Sequence, residues 1–116
     1  MTTNQIAETI DMGTESHDFG LIDNKGRAMG EAVKFCTQID TDGKTYLTAF
    51  VYALRASKPF CMNSGAYRRF EIKGEDERSA VAARDAWVAE KLESARSRAV
   101  AFTDACRLRA AHFAAA

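Results

Sequence analysis

The chain has 116 residues, 47% of them apolar and 28% charged, with a single proline and a net charge of zero. That length fits one domain able to bury a modest core without disulfides or metal as staples. Overall neutrality argues against strong non-specific nucleic-acid affinity, which rests on neutralising phosphates, and no apolar run approaches the ~20 residues of a membrane span.

The charge is unevenly spread. Residues 1–33 carry Glu8, Asp11, Glu15, Asp18, Asp23 and Glu31 against Lys25 and Arg27, a net of −4. Residues 34–74 carry seven bases against Asp40, Asp42 and Glu71, a net of +4, which leaves room for a local anion-binding patch. Cys36, Cys61 and Cys106 are scattered and odd in number, and His17 and His112 lie near opposite ends. Small buried thiols are therefore expected, with no disulfide, metal site or cofactor.

Residues 1–17 are polar with weak periodicity and read as a polar N-terminal tail, followed by a single α+β domain over residues 18–116. The first twenty residues lack a basic n-region and an apolar h-region, so no secretory signal is expected and a cytoplasmic location is the default.

Two turn signals follow. "DNKGR" (Asp23–Arg27) and "DTDGK" (Asp40–Lys44) share the form Asp-x-x-Gly-basic. Asp at the first position bonds its own backbone two residues on, and Gly at the fourth supplies the left-handed residue of a three-residue hairpin loop. Cross-strand partners then sum to 50 in the first hairpin and 84 in the second. Under that register one face collects Phe19, Leu21, Met29, Val33, Phe35, Ile39, Leu47, Ala49, Val51 and Ala53. This face is the more consistently apolar and is the expected core. The other face collects Lys34, Gln38, Tyr46, Thr48, Phe50 and Tyr52.

After Lys58-Pro59 the chain reads as a loop and then a fourth strand at about Ala66–Ile72. Phe70 and Ile72 point to the core; Tyr67, Arg69 and Glu71 point outward; Arg68 belongs to a frayed start. From Glu75 the pattern is helical, with Val81, Val88, Leu92, Ala95, Ala99, Phe102, Cys106 and Phe113 spaced mostly by three and four. Acidic residues crowd the first turn, where they complement the helix dipole. The predicted fold is a four-stranded antiparallel meander over about residues 18–72, then a long C-terminal helix over about 75–114. "ESARSRA" (Glu93–Ala99) and Thr103-Asp104 are candidate places for a kink or a split. An unbroken helix would span ~58 Å, longer than strands of about eleven residues at ~36 Å. Its distal part must fold back, project, or pair with another chain, which makes a homodimer the expected assembly.

No phosphate loop, dinucleotide fingerprint, zincin or nucleophile-elbow motif is present, and nothing in the residues recommends an enzyme. The candidate site is the aromatic and basic outer face: Tyr46, Phe50, Tyr52 and Tyr67 flanked by Lys34, Arg55, Lys58 and Arg69. Rings that stack on bases beside cations that track phosphates are how sheets bind single-stranded nucleic acid, and a nucleotide uses the same groups. Other covers for this face are residues 1–17, the end of the helix, or a protein partner. The order of four strands and a helix resembles, at fold level and without a shared residue motif, single-stranded-nucleic-acid-binding units of the Whirly and PUR type. That resemblance implies one working sheet face and dimerisation. Two functions follow as expectations. One is a non-enzymatic, dimeric protein that binds single-stranded nucleic acid or a nucleotide. The other is a protein–protein inhibitor or adaptor of the phage or mobile-element type, such as a host-defence inhibitor, acting through the same face or the projecting helix.

Overall fold

Asp23 and Asp40 organise the two turns as their spacing predicts. Asp23 Oδ1 accepts from the backbone N–H of Lys25 and of Arg27, each at 2.9 Å. Asp40 Oδ1 does the same for Asp42 and Lys44. Gly26 and Gly43 follow at φ +76° and +83°, a conformation that a Cβ would disfavour. Backbone donors at these bonds, with the Arg27 guanidinium beside them, hold the Asp23 carboxyl below its usual range.

The computed structural model describes residues 5–54 and 66–115. Its elements are β1 (Ile6–Ile22), β2 (Ala28–Asp40), β3 (Thr45–Leu54), β4 (Ala66–Glu71) and α1 (Glu77–Ala115). The four strands form one antiparallel sheet in the order β1-β2-β3-β4, so the α+β meander followed by a long helix is the architecture observed. Among the described residues no helix is long and apolar enough to cross a membrane.

The β2–β3 register keeps the predicted sum of 84 throughout, from Gly30↔Leu54 to Ile39↔Thr45. The β1–β2 register keeps the predicted 50 only at Ile22↔Ala28 and Leu21↔Met29. Beyond these, irregularities shift it at Asp18/Leu21, Asp11/Gly13 and Ile6/Glu8. Two of the three have one local chemistry: Asp18 and Asp11 each accept, at 2.8 Å, from the backbone N–H of the glycine two residues on. Phe19 therefore falls in a bulge rather than opposite Glu31.

The polar stretch expected to be a tail is corrected here. Residues 6–17 are the first part of β1, with Ile6 paired to Asp40 and Ser16 to Ala32. The sheet thus begins at Ile6. An edge strand makes ladder bonds on one side only and tolerates polar side chains on both faces.

The core lies where the register puts it. Val33, Ala49 and Val51 are buried against Val88 of α1, with Phe35, Trp87 and Leu92 packed around them. Burying each of these valine side chains stabilises the fold by roughly 1.5–3 kcal/mol. The Phe70 and Trp87 rings meet edge to face at 6.2 Å, and the Arg84 guanidinium lies 4.7 Å from the Phe35 ring centre. Arg68 faces the helix side opposite Ala49 and stays exposed, its guanidinium 5.2 Å from the Phe70 ring.

Asp76 starts the helix by accepting from the Ser79 hydroxyl at 2.7 Å. The helix then runs unbroken to Ala115, so neither candidate break occurs. Its covered stripe is Ala80, Val88, Ala95, Ala99 and Thr103, which keeps Val88, Ala95 and Ala99 of the predicted seam. Phe102 and Phe113 of that seam are exposed.

Candidate functional site

Antiparallel pairing gathers six of the eight predicted site residues on the sheet face opposite α1. Lys34 lies across from Phe50, which in turn lies across from Tyr67; Gln38 lies across from Tyr46, and Thr48 from Arg69. Tyr52 is on the same face, opposite Ala32. The remaining two, Arg55 and Lys58, lie outside the described residues.

Three rings form a row. Phe50 stacks with Tyr52 at 6.1 Å between centres and with Tyr67 at 5.6 Å, interplanar angles 9° and 27°. The Arg69 guanidinium sits 5.2 Å from the Tyr67 ring centre. Exposure falls steeply along the row: Tyr67 is 57% exposed and Tyr52 only 4%. Phe50 and Tyr46 are intermediate. The ring faces open to a ligand are therefore concentrated at the β4 edge. Burial is also what raises the Tyr52 hydroxyl pKa.

Beside the rings runs a polar network that the sequence reading did not place in the site. Gln38 Oε1 accepts from the Thr48 hydroxyl at 2.7 Å and from Arg69 Nε at 2.9 Å, while Gln38 Nε2 donates to Thr9 Oγ1 at 3.3 Å. Tyr46 donates its hydroxyl to Asp40 Oδ2 at 3.0 Å, which holds the phenol protonated and raises its pKa. Gln38 thus ties β1, β3 and β4 to β2 across the outer face. The cross-strand register was the signal for it, since 84 minus 46 is 38.

Replacing Gln38 by leucine removes the acceptor of the fully buried Thr48 hydroxyl and of Arg69 Nε. A stability loss of about 1–3 kcal/mol is expected by urea denaturation. Adding Thr48→Val removes the stranded donor, so the double variant should recover part of that loss. A double variant less stable than Gln38→Leu alone would mean that the network contributes nothing through Thr48.

Counting the described charges on this face gives Lys34, Lys44 and Arg69 against Asp11, Asp18, Asp40 and Glu71, as the pairings place them. Cys36 is buried on the same face opposite Thr48, and burial pushes its thiol pKa up, away from the reactive thiolate. Among the described residues no three His, Cys, Asp or Glu side chains gather as a metal ion requires.

Compared with protein families, with curated proteins and with solved structures, the chain finds no match.

Proposed function

We propose that this chain is a non-enzymatic binding protein whose outer sheet face docks a protein partner. The supporting observation is the charge of the sheet face that carries Phe50 and Tyr67: among the described residues four carboxylates share that face with three bases. Single-stranded nucleic acid needs a net positive groove to track its phosphates. A protein interface instead combines a central aromatic contact with a mixed polar rim. Tyr67 and Phe50 are the anchors in this reading; Lys34, Arg69 and Glu71 form the rim.

Nucleic acid or a nucleotide is the second reading, favoured by the Arg69 guanidinium over Tyr67 next to Phe50. Titration of a fluorescent oligothymidylate separates the two. No saturable binding is expected at about 50 mM salt; saturable binding that collapses by about 200 mM would establish the nucleic-acid reading instead. In parallel, the immobilised chain should retain from cell extract a component that resists nuclease and succumbs to protease. A folded Phe50→Ala/Tyr67→Ala variant should lose it. Equal retention by that variant would remove the outer face as the dock.

A further inference from the structure

Helix α1 reaches beyond what its own sheet can cover. Arg84 lies at the level of Phe35, and Thr103 donates its hydroxyl toward Met29 Sδ at 4.0 Å. The helix therefore travels along β2 from Phe35 toward Met29, and each later residue carries it further past the β1–β2 turn. Residues 104–114 are exposed except for Cys106, which is half-buried. Phe102, Cys106, Arg109 and Phe113 recur at intervals of four, three and four, which places them on one stripe. Phe113 is 70% exposed. From residue 94 onward the helix carries Arg96, Arg98, Arg107 and Arg109 against Asp104 alone, a net of +3.

Strand β1 has a complementary surface, and its first half lies at the end of the sheet away from that tail. Strand β1 carries Glu8, Asp11, Glu15 and Asp18 and no lysine or arginine, a net of −4. On its helix side Glu8, Ile10 and Glu15 lie opposite Ile39, Thr37 and Val33. Ile10 is 42% exposed and Met12, in the neighbouring bulge, 62%.

One chain cannot join these two surfaces. Thr37, beside Ile10, is eight residues of β2 beyond Met29, about 26 Å at strand spacing. The unbroken helix leads the tail away from it. Two copies can join them. Pairing tail with tail would set +3 against +3, and pairing β1 edge with β1 edge would set −4 against −4. Only the crossed arrangement brings opposite charges together while covering apolar side chains on both sides.

We propose that the chain forms a reciprocal dimer in which the Phe102–Cys106–Arg109–Phe113 stripe of each protomer lies on the acidic first half of the partner's β1, around Ile10. Each protomer then gives one tail and receives one, a closed two-fold pair.

Light scattering on the full chain tests this directly. Twice the 12.8 kDa chain mass is expected at ~100 µM and low salt. Arg107→Glu/Arg109→Glu makes the tail acidic, and Glu8→Lys/Glu15→Lys takes the strand from −4 to zero and makes its helix side basic. Each variant alone turns attraction into repulsion and should dissociate at least about tenfold more readily. An equimolar mixture of the two should restore the dimer, because each tail then meets a strand face of opposite sign. Circular dichroism confirms that both variants are folded before mixing. A monomeric wild type, variants that dimerise as well as wild type, or a mixture of folded variants that stays monomeric would each overturn the proposal. Should either variant fail to fold, Arg109→Ala and Glu8→Ala replace it, with weakened association as the expected result and unchanged association as the contrary one.

Discussion

Val33→Asp is expected to abolish folding, whereas Lys34→Asp, one residue further along the same strand, leaves the protein folded. Val33 is wholly buried among Ala49, Val51 and Val88, with no described polar group in that cluster to receive a carboxylate. An unpaired charge there costs several kcal/mol even after its pKa rises to neutralise it. That is most or all of a stability that in domains of this size is about 5–15 kcal/mol. Lys34 lies on the outer face opposite Phe50 and is half-buried, so its replacement should cost no more than about 1 kcal/mol. Circular dichroism and urea denaturation on the two variants read the result. A folded Val33→Asp beside an unfolded Lys34→Asp would mean that the two faces of the sheet are assigned the wrong way round.

Gly30→Ala is the second large effect. A Cβ at position 30 would run into the backbone carbonyl oxygen of His17, with the Asp18 Cα just behind it. These are main-chain atoms in the adjoining strand, so no side chain can swing away to make room. Either β1 shifts or the ladder opens, at a cost of about 2–3 kcal/mol. For a domain of this length that lowers Tm by roughly 10 °C. Calorimetry of the single variant checks it. An unchanged Tm would mean that β1 does not approach β2 this closely, and the placement of residues 6–17 in the sheet would lose its support.

The parts of the fold legible in the sequence are those governed by local chemistry. Asp40 and Gly43 define a turn of known length, which sets the β2–β3 register and, through it, assigns Leu47, Ala49 and Val51 to the core. The same motif at Asp23 and Gly26 sets only two pairs of β1, because Asp18 and Asp11 build bulges that break the two-residue period before a pattern can accumulate. Being an edge, that strand also lacks the apolar alternation by which strands are recognised. Six candidate site residues share a face for the reason predicted. What their spacing could not reveal is that Tyr52 is nearly inaccessible while Tyr67 is open, since exposure depends on neighbours from several strands. In the helix, Cys106 and Phe113 extend the periodicity past the end of the sheet. Periodicity marks a face but does not say whether the same chain supplies its cover.

The bulged construction of β1 has a consequence for how the protein behaves at high concentration. A seventeen-residue strand at the margin of a sheet presents a row of unused amide and carbonyl groups to any extended chain nearby. Three irregularities interrupt that row, so no straight run exceeds six residues, from Gly13 to Asp18. Four carboxylates distributed along it repel another copy of the same strand. Edge-to-edge growth into fibrils needs a flat, uncharged and uninterrupted template. The Asp-x-Gly pairs that made this segment hard to read as a strand are also what keeps it from recruiting others.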